Sequence, residues 1–140
     1  MTDNIWAERF EDINAFEKHM ARNGTTILKF FLNVSKEEQR QRFLSRFNEP
    51  EKHWKFSNSD LPVRADWDKY THAYEEMVRH TSTDHAPWYV IPADHKPVMR
   101  ALVSLIVTRT LNDLDLNFPE VSEEEMAKLA AARAQLEGEG

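Results

Sequence analysis

The sequence predicts an α/β domain built on parallel strands. Helical stretches alternate with two short apolar runs, in the order helix, strand, two helices, strand, helix. Alternation of this kind indicates a parallel sheet. The first run, TTILKFFLNV at 25–34, places apolar residues on both faces, as a strand covered on both sides does. Only two strands are visible, however, and a two-stranded sheet is barely stable alone. The pattern reads as the second half of a larger α/β domain, or as a chain that completes its sheet against a partner.

Each element has a local reason. Trp6, Phe10, Ile13, Phe16 and Met20 recur at spacings of four, three, three and four, which makes one apolar stripe on a first helix. Asn23-Gly24 supplies its stop, since both residues tolerate the left-handed conformation. The strand that follows is interrupted once, by Lys29. Ser35 with Glu38 three residues on reads as a capping box opening a second helix, which runs to about Phe47 and packs Phe43, Leu44 and Phe47.

The stretch Glu49 to Tyr70 has neither helical nor strand periodicity and reads as a mobile surface loop. A third helix starts between Pro62 and Trp67, buries Trp67, Tyr70, Tyr74 and Met77, and ends near His80. The residues 87–93, PWYVIPA, form the second strand. Asp94 turns the chain, and Pro97 falls in the first turn of a helix reaching to about Leu111. Beyond it, Ser122 and Glu125 either open a short surface helix or belong to a loose tail. The expected division is a body at 1–112 and an acidic tail at 113–140.

Bulk properties narrow the function. The chain has 140 residues, 41% of them hydrophobic and 30% charged, ordinary values for one globular domain. It has no cysteine, which excludes disulfides, thiolate catalysis and cysteine zinc sites. The N-terminus has no apolar run resembling a signal peptide, and the longest apolar run, Ala101–Val107, is too short to span a membrane. A cytoplasmic protein is expected. The net charge of −6 equals that of residues 113–140, which hold eight acids and two bases, so the body is neutral. That balance is not the pattern of a general nucleic-acid binder. With only three glycines, Gly24, Gly138 and Gly140, the sequence contains no glycine-rich phosphate loop.

Four constellations carry possible chemistry. From Lys36 to Lys69 there are eight bases and seven acids, in a chain whose remainder totals −7. Arg42 and Arg46 share a helical face, and Lys52, Lys55 and Arg64 lie on the loop. These cations either close over a polyanion, as arginine's forked donors allow, or pair with Glu37, Glu38, Glu49 and Glu51 at the surface. Asp68, His72, Glu76 and His80, four apart on one helix, read as a solvated face rather than a metal site. Ser82, Thr83, Asp84 and His85 read as turn chemistry, since no nucleophile elbow accompanies them. Trp54 and Phe56 flank Lys55 and pack the loop or stack a base.

The segment EPEKHWKFSNSDLPVRADWDKYTHAYEEMVRHTSTDHAPWYVIPADHK, with ILKFFLNVSKEEQRQRF before it, resembles the C-terminal half of the polyphosphate kinase 2 family. It is most similar to the subgroup of polyphosphate:nucleotide phosphotransferases acting on AMP or ADP, and the resemblance runs from about Trp6 to Leu111. It implies a P-loop-kinase-like, three-layer α/β/α fold with a helical lid at about 36–66. It implies that Arg42, Arg46, Lys52, Lys55 and Arg64 hold polyphosphate, and that Asp94, Lys96 and Arg100 lie on the nucleotide side.

The family's Walker A and Walker B segments lie upstream of the matched region. The Mg2+ expected for the complete enzyme would therefore find its ligands outside this chain, and no catalytic residue is assigned within it. Pro97 also departs from the family, standing where relatives often have a bulky residue. The implied partners, besides polyphosphate and a nucleotide, are an N-terminal half carrying the P-loop or further copies of the chain. Alone, the chain is expected to be inactive. The competing expectations are a non-catalytic module completing another chain's sheet, or a truncated frame that folds poorly.

Overall fold

The computed structural model describes residues 4–55, 57 and 59–138. The chain divides into two compact units, residues 1–107 and 108–140. In the first, helix α1 (Ile5–Arg22) leads to strand β1 (Lys29–Asn33) and helix α2 (Lys36–Asn48). A 3-10 turn at Pro50–Lys55 and the short helix α3 (Asp60–Ala65) precede helix α4 (Trp67–Thr81) and strand β2 (Trp88–Pro92). Helix α5 (Lys96–Asp113) follows. In the second unit, helix α6 spans Glu123–Glu137.

The two strands pair in parallel, with Lys29 opposite Trp88 and Asn33 opposite Pro92. A parallel pair needs a crossover connection, and α2 to α4 provide it. The expected element order and strand direction are thus found.

One end of the sheet is organised by polar groups. The lysine that interrupts the first strand turns its ammonium to Glu17 on α1, at 2.6 Å, and to the carbonyl of Thr81, also at 2.6 Å. It also lies 5.3 Å from the ring centre of Trp88. A charge in a strand is tolerated when it is paired and hydrogen-bonded, and Lys29 is. Thr81 is 1% exposed. Its hydroxyl donates to the Met77 carbonyl at 2.6 Å and accepts from the Trp88 indole N–H at 2.9 Å. Asn14 on α1 donates to the His80 carbonyl at 2.9 Å, and Phe10 stacks on the His80 ring at 5.2 Å. These contacts tie α1, the end of α4 and both strands together.

The apolar core is small. Among the described residues, the buried hydrophobic side chains are Ala86, Ile91 and Ala93. The stripe read on α1 exists, but Trp6 and Phe16 are 63% and 65% exposed. Tyr74 packs its ring against Phe31 at 5.0 Å, yet remains 44% exposed.

Two expectations are corrected, and one open alternative is decided. The stretch 49–66 is not a plain loop, because it contains the 3-10 turn and α3. Both have six residues, too few to show a period, and Pro62 sits in the first turn of α3, where its missing N–H is harmless. Ser35 caps α2 by accepting from the Glu38 N–H at 3.0 Å. The returning half of the expected box is replaced, since the Ser35 N–H donates to Asp94 at 2.7 Å and Glu38 pairs with Arg42. At Ser122 a complete capping box forms, and it opens α6 rather than a loose tail.

Candidate functional site: a basic lid beside the end of the second strand

The five cations expected to form a lid are held on α2, the 3-10 turn and α3, all in the first unit. Arg42 is the most committed of them. Its Nε donates to Glu38 at 2.7 Å, and its Nη2 donates to the backbone carbonyls of Ala93 at 2.7 Å and Asp94 at 3.3 Å. The Asp94 carboxylate in turn accepts from the Ser35 N–H. That hydrogen bond, then the Ser35 side chain and the nearby Arg42 charge, hold the Asp94 carboxyl below the usual aspartate range. Arg42 and Asp94 therefore form a reciprocal clasp. Helix α2 is fastened to the end of β2 from both sides.

Arg64 is also engaged. It donates to the Lys36 carbonyl at 2.6 Å and to Gln39 at 2.9 Å, which docks α3 on the start of α2. Next to it, Arg40 grips Glu37 with two donors, at 2.9 and 2.7 Å. The Arg40 and Gln41 donors, with the Arg40 and Arg64 charges behind them, bring the Glu37 carboxyl to about 2.

The remaining cations are freer. Arg46 stands 3.8 Å from Asp60, at the outer limit of an ion pair, with its guanidinium 5.1 Å above the Phe43 ring. Lys52 pairs with Glu49 one turn back. Lys55 has no carboxylate partner among the described residues and lies 5.1 Å from the ring centre of Trp54, which is 79% exposed. Phe56, expected to flank it, lies outside the described residues.

The Glu49 carboxyl is lowered first by the Lys52 donor and the Ser45 hydroxyl at 2.5 Å, and further by the Lys52 and Lys96 charges. Lys96 stands at the start of α5. Arg100 follows one turn later on the same helix, and both lie on its exposed surface.

The surface pairing weighed as the plainer account is thus partly realised. Glu37, Glu38 and Glu49 each hold a base, while Lys55, Lys96 and Arg100 remain available for an anion. Ser35 and Glu49, expected as a helix cap and as a surface partner of the cations, take both roles. Ser35 and Asp94 are 59 residues apart, so no local signal connects them.

The other constellations are structural. Glu76 takes Arg79 at 2.6 Å and His80 at 3.3 Å. Ser82 accepts from the Trp88 N–H at 3.1 Å, and Thr83 pairs with Ala86 in an isolated bridge. Among the described residues, no group of three or more His, Asp or Glu side chains could hold a metal ion, and no helix is long and apolar enough to cross a membrane.

The sequence profile of the family described as polyphosphate kinase 2 matches residues 1–119. The chain is 44% identical over 133 residues to the ADP-polyphosphate phosphotransferase of Rhodopseudomonas palustris, covering 95% of this chain and 46% of that protein. It is 50% identical over 116 residues to the AMP/ADP-polyphosphate phosphotransferase of Meiothermus ruber, covering 83% of this chain and 43% of that one. It therefore spans less than half the length of these curated relatives, matching their C-terminal portion.

A different relative has the same extent. It is an "Uncharacterized protein in chlN 3'region" of Leptolyngbya boryana, 54% identical over 135 residues, 96% of this chain and 99% of that one. The crystal structure of polyphosphate kinase 2 from Arthrobacter aurescens TC1 superposes with a TM-score of 0.86 at 38% identity, over 96% of this chain and 47% of that one. With a profile match over most of its length and a shared fold, this chain belongs to the polyphosphate kinase 2 family.

Proposed function

We propose that this chain supplies the lid and the C-terminal elements for phosphoryl transfer between inorganic polyphosphate and AMP or ADP. Family membership supports the reaction class, and the clasped, basic lid carries the assignment to this chain's residues. Arg42 and Arg64 set the lid's position through backbone carbonyls. Arg46, Lys52 and Lys55 then face the polyphosphate chain, with Lys96 and Arg100 toward the nucleotide. Phosphoryl transfer depends on positioning and on stabilising charge that spreads over phosphate oxygens. Cations brought over a polyanion by a closing lid do both, and they exclude water.

The described residues do not fit a magnesium site. In this reading the ion, the glycine-rich loop and the reacting centre belong to the other half of the domain. That half is either joined to this chain, carried by a separate chain, or shared between copies. The cytoplasm is the compartment in which nucleotide and polyphosphate would meet it.

The test is polyphosphate binding by the purified chain, followed by titration in increasing salt. The chain is expected to bind, and the double variant Lys52→Ala with Lys55→Ala should bind about tenfold more weakly with a shallower salt dependence. Phosphorylation of ADP or AMP by the chain alone should be undetectable. Equal binding by the double variant, or turnover by the chain alone, overturns the assignment.

A further inference from the structure

We infer that Glu49 and Asp60 are exchangeable counter-ions, each holding a cation, Lys52 or Arg46, that polyphosphate takes over when it binds, so that the polymer is gripped loosely enough to move on. The inference rests on the functional proposal above, which names the anion.

The contacts sort the cations into two kinds. Arg42 and Arg64 donate to the backbone carbonyls of Ala93 at 2.7 Å and Lys36 at 2.6 Å. A carbonyl cannot turn away unless its element moves, so these two cations are committed to the fold. Lys52 and Arg46 instead meet side-chain carboxylates. Lys52 pairs with Glu49, and Arg46 stands 3.8 Å from Asp60. The side chains of the first pair are 40% and 35% exposed, and those of the second 31% each. Ion pairs this open to water are weak and easily exchanged.

Each pair has a second contact that survives the exchange. Glu49 is the C-cap of α2, at the negative end of the helix dipole, where an acid is disfavoured. Its carboxylate is held there by Lys52 and by the Ser45 hydroxyl, which donates at 2.5 Å. The Lys52 donor, then that hydroxyl, keep the carboxyl below the usual glutamate range. When Lys52 turns to another anion, Ser45 still anchors the carboxylate. The Arg46 guanidinium lies 5.1 Å from the Phe43 ring centre, so it keeps its place when Asp60 leaves.

A polymer of phosphates gives this exchange a use. Each phosphoryl transfer lengthens or shortens the polymer by one unit, so the chain must shift past the cations that hold it. Cations without competitors would retain it. A carboxylate tethered beside its cation competes at a high effective concentration each time a phosphate lets go. Lys55, which has no carboxylate partner among the described residues, is then the cation open to first contact.

The experiment measures binding and release of long-chain polyphosphate by the purified full chain and its variants. Glu49→Gln and Asp60→Asn should each bind about threefold more tightly, through slower release. Glu124→Gln is the control. It changes the net charge equally and frees Lys128, 2.7 Å away on α6, so it should change binding little. Carbon-13 NMR supplies a second readout. The Glu49 carboxyl should titrate below the ordinary value of about 4.3 in the free chain and above it with polyphosphate bound, because Lys52 has left and phosphates have arrived. The other charged groups about it are Lys96 on α5 and His53, whose ring is bonded to the Phe47 carbonyl at 3.0 Å.

A parent that binds as tightly as both variants overturns the inference and leaves the functional proposal standing. So does equal tightening by Glu124→Gln, which would assign the effect to net charge, or a Glu49 titration that polyphosphate does not move. If Glu49→Gln does not fold, Asp60→Asn and the titration of the parent decide. Failure of the parent and all variants to bind polyphosphate overturns both proposals.

Discussion

The ammonium of Lys29 lies 2.6 Å from the Glu17 carboxylate, and the two side chains are only 11% and 12% exposed. This ion pair joins β1 to α1 at a place where most neighbouring contacts are polar. Breaking a buried pair leaves one charge without compensation, at a cost of about 3–5 kcal/mol, whereas replacing both partners by apolar groups is often neutral. Glu17→Gln is therefore expected to lower stability by several kcal/mol in urea melts. The double variant Glu17→Leu with Lys29→Met should recover most of that loss. Equal stability of the single variant and the parent would show that the pair does not hold the helix.

Thr81 provides a second lever. Its hydroxyl serves the Met77 carbonyl and the Trp88 indole at once. Thr81→Val keeps the shape and removes both bonds, leaving a buried indole N–H without a partner. An unsatisfied donor of this kind costs about 1–3 kcal/mol. Tryptophan fluorescence should shift along with the melting midpoint.

The clasp at Asp94 sets an acid limit. Its carboxyl is lowered in the folded chain, so its contribution to stability is fully present above the ordinary aspartate value of about 3.9 and disappears as pH falls through the lowered one. Stability should fall as pH drops below about 4. Asp94→Asn should flatten that part of the curve while lowering stability at neutral pH. The Glu37 carboxyl, at about 2, acts in the same direction between the ordinary glutamate value of about 4.3 and its own, and Glu37→Gln separates the two contributions.

At the other end of the chain, Ser122 and Glu125 exchange hydrogen bonds at the start of α6. Ser122→Ala should cost that helix about 1 kcal/mol. Faster amide exchange at residues 123–126, with some loss of helical ellipticity, is the expected signature.

Much of this structure was legible in the sequence, for identifiable reasons. The first helix declared itself through the spacing of Trp6 to Met20, and its end through Asn23-Gly24, where Gly24 does adopt a φ of +86°. The strands were marked by composition, and their parallel direction by the apolar residues on both faces. The short elements at 50–55 and 60–65 were not legible, because six residues are too few to show a period. The partners of the individual cations were not legible. Which of them is spent on a backbone carbonyl depends on neighbours 28 and 51 residues away, as Arg64 and Arg42 show.

The sparse interior has a thermodynamic consequence. Three small or medium side chains, Ala86, Ile91 and Ala93, are the buried hydrophobic residues among those described. Heat capacity on unfolding scales with the apolar surface newly wetted, and ordinary domains show about 12–15 cal/mol/K per residue. This chain should fall well below that figure, giving a flat stability curve and a broad calorimetric transition. Any body that covers its open apolar surface would raise the heat capacity of unfolding and sharpen the transition. The width of the heat-absorption peak is thus a direct gauge of how complete the domain is.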